Sequence, residues 1–491
     1  MADITPAANR RVLADTRYVV AWDGDARHSW HAARKHGAPV LAGDRPWDRV
    51  GAFVYGTVRE DGGRLRLWYQ ARSAMGGGNS HAIAYAESAD GVCWEKPSLG
   101  VVDFQGTREN NLTDAVLHLA SVGGAPGDYW AAGHVWAGAT SYGIDPGYGE
   151  RGVYLLRSAD GFRWRRDGEA PLWDAQETAA GPYGPTSDVD SVIYDPYRGR
   201  YLASNKLHVP IDGTHRRAFA TRTSPDLRAW SAPRLGLVPD ELDDRRARDL
   251  GGHRADFYGL TFHLYPQFIL GFVWVFYMTA PPAPRWPLRR PLGWGPDGRI
   301  AEVQPVFSYD GEYWIRPHGR PALIAAGERG DWDFGNVATA NQPVERGDEV
   351  LHYYGGGPIW HGAHARPPDG YRPEVGAFTA TGLARLQRDR YASWSATTGG
   401  SVLLRHGPLA GRRLLVNARA PHGSVRAAVL DAAGQEIAGL GLADCRPFHG
   451  DAVAGEITWE GSDLRAVPAG TDACIRFVLQ DAGLFAYEIA D

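Results

Sequence analysis

Lysine is nearly missing from this 491-residue chain: Lys35, Lys96 and Lys206 are the only three, so arginine carries almost all the positive charge. Cysteine is equally scarce. Cys93, Cys445 and Cys474 lie far apart, without metal-ligand spacing. An odd, sparse count excludes a disulfide framework and fits a reducing compartment. Long hydrophobic runs are absent too. The most apolar stretch, residues 268–278, is far shorter than the roughly 20 residues a membrane span needs, and the first 13 residues hold no signal-peptide core. Those absences predict a cytoplasmic protein with no membrane partner. Basic excess is also lacking: the formal charge is -5 and the pI about 6.4, which argues against nucleic acid. The best local basic patch, Arg285, Arg289 and Arg290, reads as a loop.

What the chain has instead is turn chemistry and aromatics, with Gly 62, Pro 33, Trp 18 and 11% aromatic residues. These point to many short strands. One motif recurs. Ser88-Ala-Asp90-Gly91-Val-Cys-Trp94 returns as Ser158-Ala-Asp160-Gly161-Phe-Arg-Trp164, Ser224-Pro-Asp226-Leu-Arg-Ala-Trp230 and Ser308-Tyr-Asp310-Gly311-Glu-Tyr-Trp314, with a degraded fifth copy at residues 388–394. Spacings of 70, 66 and 84 residues suit a four-stranded blade with one long loop, and such self-similarity marks a propeller. Each unit reads as a strand, a turn cornered by Asp and Gly, and a returning strand whose Trp plugs the gap between blades. A residue repeated at every hairpin is a turn cap rather than a catalyst. Residues 12–22 are expected to supply a strand that closes the ring. Beyond Trp394 the blade motif stops, and short alternating strands predict an antiparallel sandwich. The expected fold class is therefore all-β: a five-bladed β-propeller over residues 1–394 followed by a C-terminal β-sandwich over residues 395–491.

Strand direction locates a site. In an up-and-down blade, the hairpins between strands three and four lie on the face opposite the starts of the inner strands. The links into the inner strands carry Trp47, Asp48, Asn111, Asp188, Asp190, Asp256, Tyr258 and Asp333. The long loops between strands two and three carry Arg217, Glu302 and His361. Variable loops on a rigid scaffold are where binding residues sit. Acids and amides walled by aromatic and basic side chains suit a polyhydroxylated small molecule.

Five blades, acids at the starts of inner strands and a terminal sandwich resemble the furanosidase-like propellers of glycoside hydrolase families 32 and 43. The likeness is closer to bacterial proteins that pair this propeller with this sandwich, through residues 88–94 with Glu95-Lys-Pro-Ser-Leu-Gly100 and then Asn110-Asn111. It covers most of the chain. The family 32 Trp-x-Asn-Asp-Pro-x-Gly motif is reduced to Trp47-Asp48-Arg49-Val50, and its Arg-Asp-Pro and Glu-Cys motifs have no match at Asp188 or Glu302.

The resemblance implies a glycoside hydrolase or transglycosidase acting on a furanoside or small oligosaccharide, which needs two carboxyl groups in different protonation states. By position Asp48 is the candidate base or nucleophile and Asp188 the orienting carboxylate. Glu302 is the candidate acid, with Asp256 its competitor. Trp47, Asn111, Arg217, Tyr258, Asp333 and His361 are candidate substrate-binding residues. Asp190 has another reading, as a core-side residue paired with an arginine. The plainer alternative for each acid is a turn cap or a binder of hydroxyls. Two further functions remain open: a non-catalytic sugar-binding propeller, and a propeller enzyme repurposed for specialised metabolism. His28-x-x-His31 and His361-Gly-Ala-His364 have a metal-like spacing but no third ligand, so neither metal nor cofactor is expected.

Overall fold

The computed structural model describes residues 9–73, 81–115, 118–135, 152–174, 189–211, 213–278, 298–358, 379–409 and 411–491. The chain forms two compact units. One is Ala33–Val344 with Leu351–Arg385, and the other is Met1–Ala32, Glu345–Val350 and Leu386–Asp491.

The first unit is a five-bladed β-propeller of antiparallel sheets. From the axis outward, blade three runs Asp190–Asp195, Arg200–Ile211, Thr214–Ser224 and Arg234–Leu237; blade four runs Arg254–Leu264, Ile269–Met278, Gly298–Ser308 and Ile324–Ala325. Blade two begins with His118–Ala125, Asp128–Val135 and Gly152–Ser158. Two inner strands are broken. Gly51–Phe53 and Val58–Asp61 both pair with Arg64–Arg72 in blade one, and Asn336–Thr339 and Val344–Arg346 both pair with Glu349–Gly357 in blade five. At each break the chain leaves its ladder and reaches the axis, carrying Tyr55 and Gly56 in blade one and Asn341 in blade five.

There the blades are tied to one another. Asn341 N–H donates to Gly56 O (2.8 Å), Phe262 N–H to Asn341 O (3.0 Å), and Asn341 Nδ2 to Ser121 Oγ (2.9 Å). Ser121 Oγ also accepts from Val192 N (2.7 Å). These bonds satisfy backbone groups that the broken ladders leave unpaired. The approach is close enough that a Cβ at position 56 would stand 2.3 Å from Leu119 O, so only glycine fits.

The repeated hairpins lie between strands three and four, as expected, and their acids are caps. In blade one Asp90 Oδ1 accepts from Val92 N (2.8 Å), Cys93 N (2.7 Å) and Ser88 Oγ (3.1 Å). Asp160, Asp226 and Asp310 repeat the pattern. Each glycine carbonyl then latches a neighbouring blade: Gly91 O accepts from Tyr353 OH (2.9 Å) and Gly161 O from Trp68 Nε1 (2.8 Å). The third copy has Leu227 in place of glycine, held at φ 68.

The second unit is a sandwich around one large sheet. Its long strand Arg413–Leu430 bends at two bulges, pairing with Phe448–Trp459, Ala482–Ala490 and Ala473–Gln480. Leu404, Val416, Ala427, Ile457, Ile475 and Leu484 fill its core. Three expectations are corrected here. The segment 12–22 does not close the propeller: Arg10–Val12 pairs with Ala482–Ala490 and Val19–Gly24 with Gly400–Gly407, in the sandwich. Blade five is closed instead by Arg34–Lys35, paired with Ala384 and Arg385. The division expected after residue 394 is likewise displaced, because residues up to Ala32 and from Leu386 belong with the sandwich. The degraded fifth motif is not a blade hairpin, since Trp394 lies in the sandwich core. Among the described residues no helix is long and apolar enough to cross a membrane.

The hairpin caps have a pH signature. The Cys93 and Val92 amides hold the Asp90 carboxyl down at about 2, from an ordinary 3.8. A depressed carboxyl stabilises the fold above its unfolded value and loses that contribution as pH falls through its folded value. Asp90→Ala is therefore expected to lower the denaturation midpoint at neutral pH, with a deficit that shrinks between pH 3.8 and about 2. Denaturant titrations across that window test it; a deficit that stays constant with pH contradicts the capping role.

Candidate functional site

A small depression lies at the propeller axis, lined from blades one, three, four and five. Tyr55, Asp190, Ser191, Trp274, Thr339 and Asn341 line it. The carboxylate of Asp190 accepts from Asn205 Nδ2 (2.7 Å) on one oxygen and faces His134 Nδ1 (3.3 Å) with the other. Asn205 is oriented in turn by Arg222 Nε (3.1 Å). The arginine pairing expected for Asp190 is thus replaced by an amide and an imidazole, and the residue faces the axis. Trp274 donates from Nε1 to Thr339 Oγ1 (2.9 Å), which fixes its indole. A Cβ at Gly259 would come within 2.2 Å of that ring, so glycine makes room for it. Ser191 Oγ and Asn341 Oδ1 are buried without a hydrogen-bond partner. Such orphans are uncommon in folded proteins, and two lining one depression point to a ligand that supplies donors.

Tyr258 lies beside this site because of a bulge. The register of blade four shifts between Phe257 and Gly259, leaving Tyr258 as the extra residue. The Lys206 ammonium lies 3.7 Å from its ring centroid, and the Arg217 guanidinium 5.4 Å. Asp256 is enclosed by three arginines, Arg217 (3.2 Å), Arg254 (3.4 Å) and Arg216 (3.7 Å). Burial lowers the Arg254 pKa despite that carboxylate.

The other acids named from the sequence stand in separate networks. Asp48, fully buried, accepts on Oδ1 from the amides of Asp44 (3.0 Å) and Arg45 (2.8 Å), and on Oδ2 from Tyr69 OH (2.8 Å) and Lys96 Nζ (2.6 Å). Trp47 and Asn111 complete the same cluster: Trp47 Nε1 donates to Asn111 Oδ1 (2.6 Å), and Asn111 Nδ2 to Tyr69 OH (2.9 Å). Asp333 repeats the arrangement in blade five, accepting from Lys35 Nζ (2.7 Å) and Tyr354 OH (2.9 Å). Both acids stand three residues ahead of a broken inner strand, in a Trp-Asp pair. Burial and the facing carboxylate push the Tyr69 and Tyr354 phenols well above the usual range.

Glu302 accepts from Tyr277 OH (2.7 Å), Gln304 Nε2 (2.6 Å) and Arg246 Nη2 (2.8 Å) of the helix Glu241–Asp249. It stands opposite Val275, whereas Asp256 stands opposite Phe276, so the two project from opposite faces of blade four. Asp48, Asp256 and Glu302 share no hydrogen-bond partner, and none lines the axial depression. Of the residues singled out, Arg217, Tyr258 and Asp256 lie together, while Asp188 and His361 lie outside the described residues. His28 and His31 bond Leu13 O and Ser393 Oγ within the second unit. Among the described residues no group of His, Cys, Asp or Glu is arranged to hold a metal. Sequence reasoning passed over Tyr55, Arg72, His134, Asn205, Lys206 and Trp274; the one available signal was Lys206, a lysine in an arginine chain.

No protein-family model matches the chain. Two Mycobacterium tuberculosis proteins, described as uncharacterized, are 41% identical to it over 121 residues, 24% of this chain and 35% of theirs. The chain thus spans about a third of the length of the curated relatives it matches. Among solved structures it is similar to an N-acetylgalactosamine deacetylase from F. plautii, at 15% identity and TM-score 0.46, over 75% of this chain and 97% of that one. It is also similar to a thermostable family-43 glycoside hydrolase (13%, TM-score 0.43, 71% and 94%) and a Bombyx mori GH32 β-fructofuranosidase (10%, TM-score 0.42, 92% and 94%).

The Asp48 cluster carries its own test. Removing one partner of a buried ion pair strands the other charge, at a cost of about 3–5 kcal/mol. Lys96→Met is expected to destabilise by that order, and Lys96→Met with Asp48→Asn to recover part of the loss. Chemical denaturation of the two variants measures it, and a single variant as stable as wild type contradicts the pairing.

Proposed function

We propose that the chain is a carbohydrate-acting propeller that binds its sugar in the axial depression. In the preferred reading it is a glycoside hydrolase or transglycosidase for a furanoside or small oligosaccharide. The observation that carries the proposal is the convergence at the axis of Asp190, Ser191 Oγ and Asn341 Oδ1. Sugar hydroxyls donate to all three, while the aromatic faces of Tyr55 and Trp274 suit the apolar C–H side of a ring.

In this reading Asp190 is the carboxylate that takes part in chemistry. Asn205 and His134 hold it in one orientation, which catalysis through a positioned carboxylate requires. Glycoside hydrolysis needs a second carboxyl group, at a separation that decides retention or inversion. Asp188, two residues earlier in the sequence, is assigned that part. Asp48 and Glu302 are assigned to structure, because each already spends its oxygens on buried partners.

A second reading, a sugar-binding propeller without turnover, is favoured by one observation. Among the described residues, Asp190 is the sole carboxylate lining the depression.

Aryl furanosides, aryl pyranosides and small fructans, assayed for turnover and for thermal stabilisation, separate the two. The enzymatic reading expects turnover that falls at least about 100-fold in Asp190→Asn and in Asp188→Asn, the range a positioned acid or base contributes, with melting temperatures held. Stabilisation without turnover selects the binding reading. Neither effect with any sugar rules out the carbohydrate proposal.

A further inference from the structure

Arg72 has no use in the chemistry above and, among the described residues, no counter-charge. It ends the second strand of blade one, opposite Gly51, with its guanidinium 5.4 Å from the Phe53 ring centroid and one bond to Gln70 Oε1 (3.2 Å). Other buried arginines are neutralised: Arg216 pairs with Asp244, Arg217 with Asp256 and Arg316 with Asp243. Among the described residues no carboxylate pairs with Arg72. Burial pulls its pKa below the usual arginine range, and the groups that oppose the shift are the phenols of Tyr55 and Tyr258. Tyr55 lines the axial depression, and Tyr258 has the Lys206 ammonium over its ring. The Phe53 ring in turn lies 5.5 Å from that of Tyr55, so the Arg72 guanidinium stands two rings from a depression whose own described carboxylate is committed to Asn205 and His134. A partly buried guanidinium without a partner is costly unless a ligand supplies the anion, and its planar fork matches carboxylate and phosphate oxygens in pairs.

We propose that the axial site takes a sugar bearing an anionic substituent, a carboxylate or a phosphate, with Arg72 as the group that receives it. Lys206 and the Tyr55 and Tyr258 phenols complete the receiving wall. The proposal rests on the carbohydrate reading and narrows it: a neutral furanoside leaves Arg72 unanswered, whereas a uronic acid or sugar phosphate pairs with it.

The test compares affinities of the full chain for glucuronate, galacturonate, glucose 6-phosphate and fructose 6-phosphate with those for glucose, galactose and fructose, by calorimetry at low and high salt. At least one anionic sugar is expected to bind about tenfold more tightly than its neutral parent, the scale of one charge-assisted bond, and the margin should narrow as salt rises. Whether the uronates or the phosphates gain identifies the anion. Arg72→Gln should bring the favoured sugar down to its parent's affinity, and Arg72→Lys should restore part of the margin. Lys206→Met, a change on another blade, should narrow the margin too, and melting curves establish that each variant is folded. Neutral and anionic sugars binding alike, with a ratio unmoved by Arg72→Gln, overturns the charge inference and leaves the carbohydrate reading standing. No binding by either kind overturns both.

Discussion

The hydrogen bonds that knot the inner strands at the axis are the constraint on which the propeller depends. Five blades bring five inner strands to one line, where neighbouring backbones are too close for ordinary side chains and too irregular to pair as a sheet. Gly56 solves the steric problem, and Asn341 and Ser121 solve the polar one. The amide of Asn341 donates to Ser121, yet its oxygen remains unused. The device that closes the ring thus leaves a hydrogen-bond acceptor facing the one space at the axis. Under the proposed function, closure and ligand binding draw on the same residue.

Beside that knot, blades one and five each carry a buried ion pair. The two Trp-Asp pairs, Asp48 with Lys96 and Asp333 with Lys35, stand at equivalent places in blades one and five, each with a tyrosine from its blade's second strand. A carboxylate taken out of water must find a cation and enough donors. Asp48 has four donors, a lysine among them, so it has no lone pair left to attack a substrate. The same reasoning applies to Glu302, whose oxygens are shared among a phenol, an amide and an arginine. Acids in these places are committed to buried partners, and under the proposed function the chemistry falls to Asp190, a carboxylate with fewer of them.

This division explains what could be read in advance. The hairpin repeat was legible because its physics is local: Ser88, Asp90 and Gly91 close a turn using groups within five residues of one another. Four of the five blades and the opposite-face argument follow from it. Pairings across the chain were not legible. Nothing in Arg10–Val12 announces a partner at Ala486–Glu488, and nothing in Arg34–Lys35 announces Ala384. The face of Glu302 was equally hidden. The bulges at Tyr258 and Ala301 set which side chains of blade four share a face, and composition does not encode a bulge. Asp190 was visible as an acid, but whether it met an arginine or an amide depended on Asn205 and His134, residues from two different blades.

The scarcity of lysine gains meaning from this placement. A guanidinium and an ammonium are not interchangeable in a buried site, since the fork spreads its charge over a plane and the ammonium concentrates it at a point. Where the chain departs from arginine it does so at three places, two of them the Trp-Asp fasteners and the third over the Tyr258 ring. A compact cation fits beneath a single carboxylate oxygen or above a ring centre, where a planar group of five donors would leave some unanswered. The net charge of -5 describes the whole surface, but a ligand at the axis meets low-dielectric walls and the few charges within them. Under the anionic-sugar proposal, Arg72 and Lys206 are the cations that an otherwise acidic protein offers its ligand.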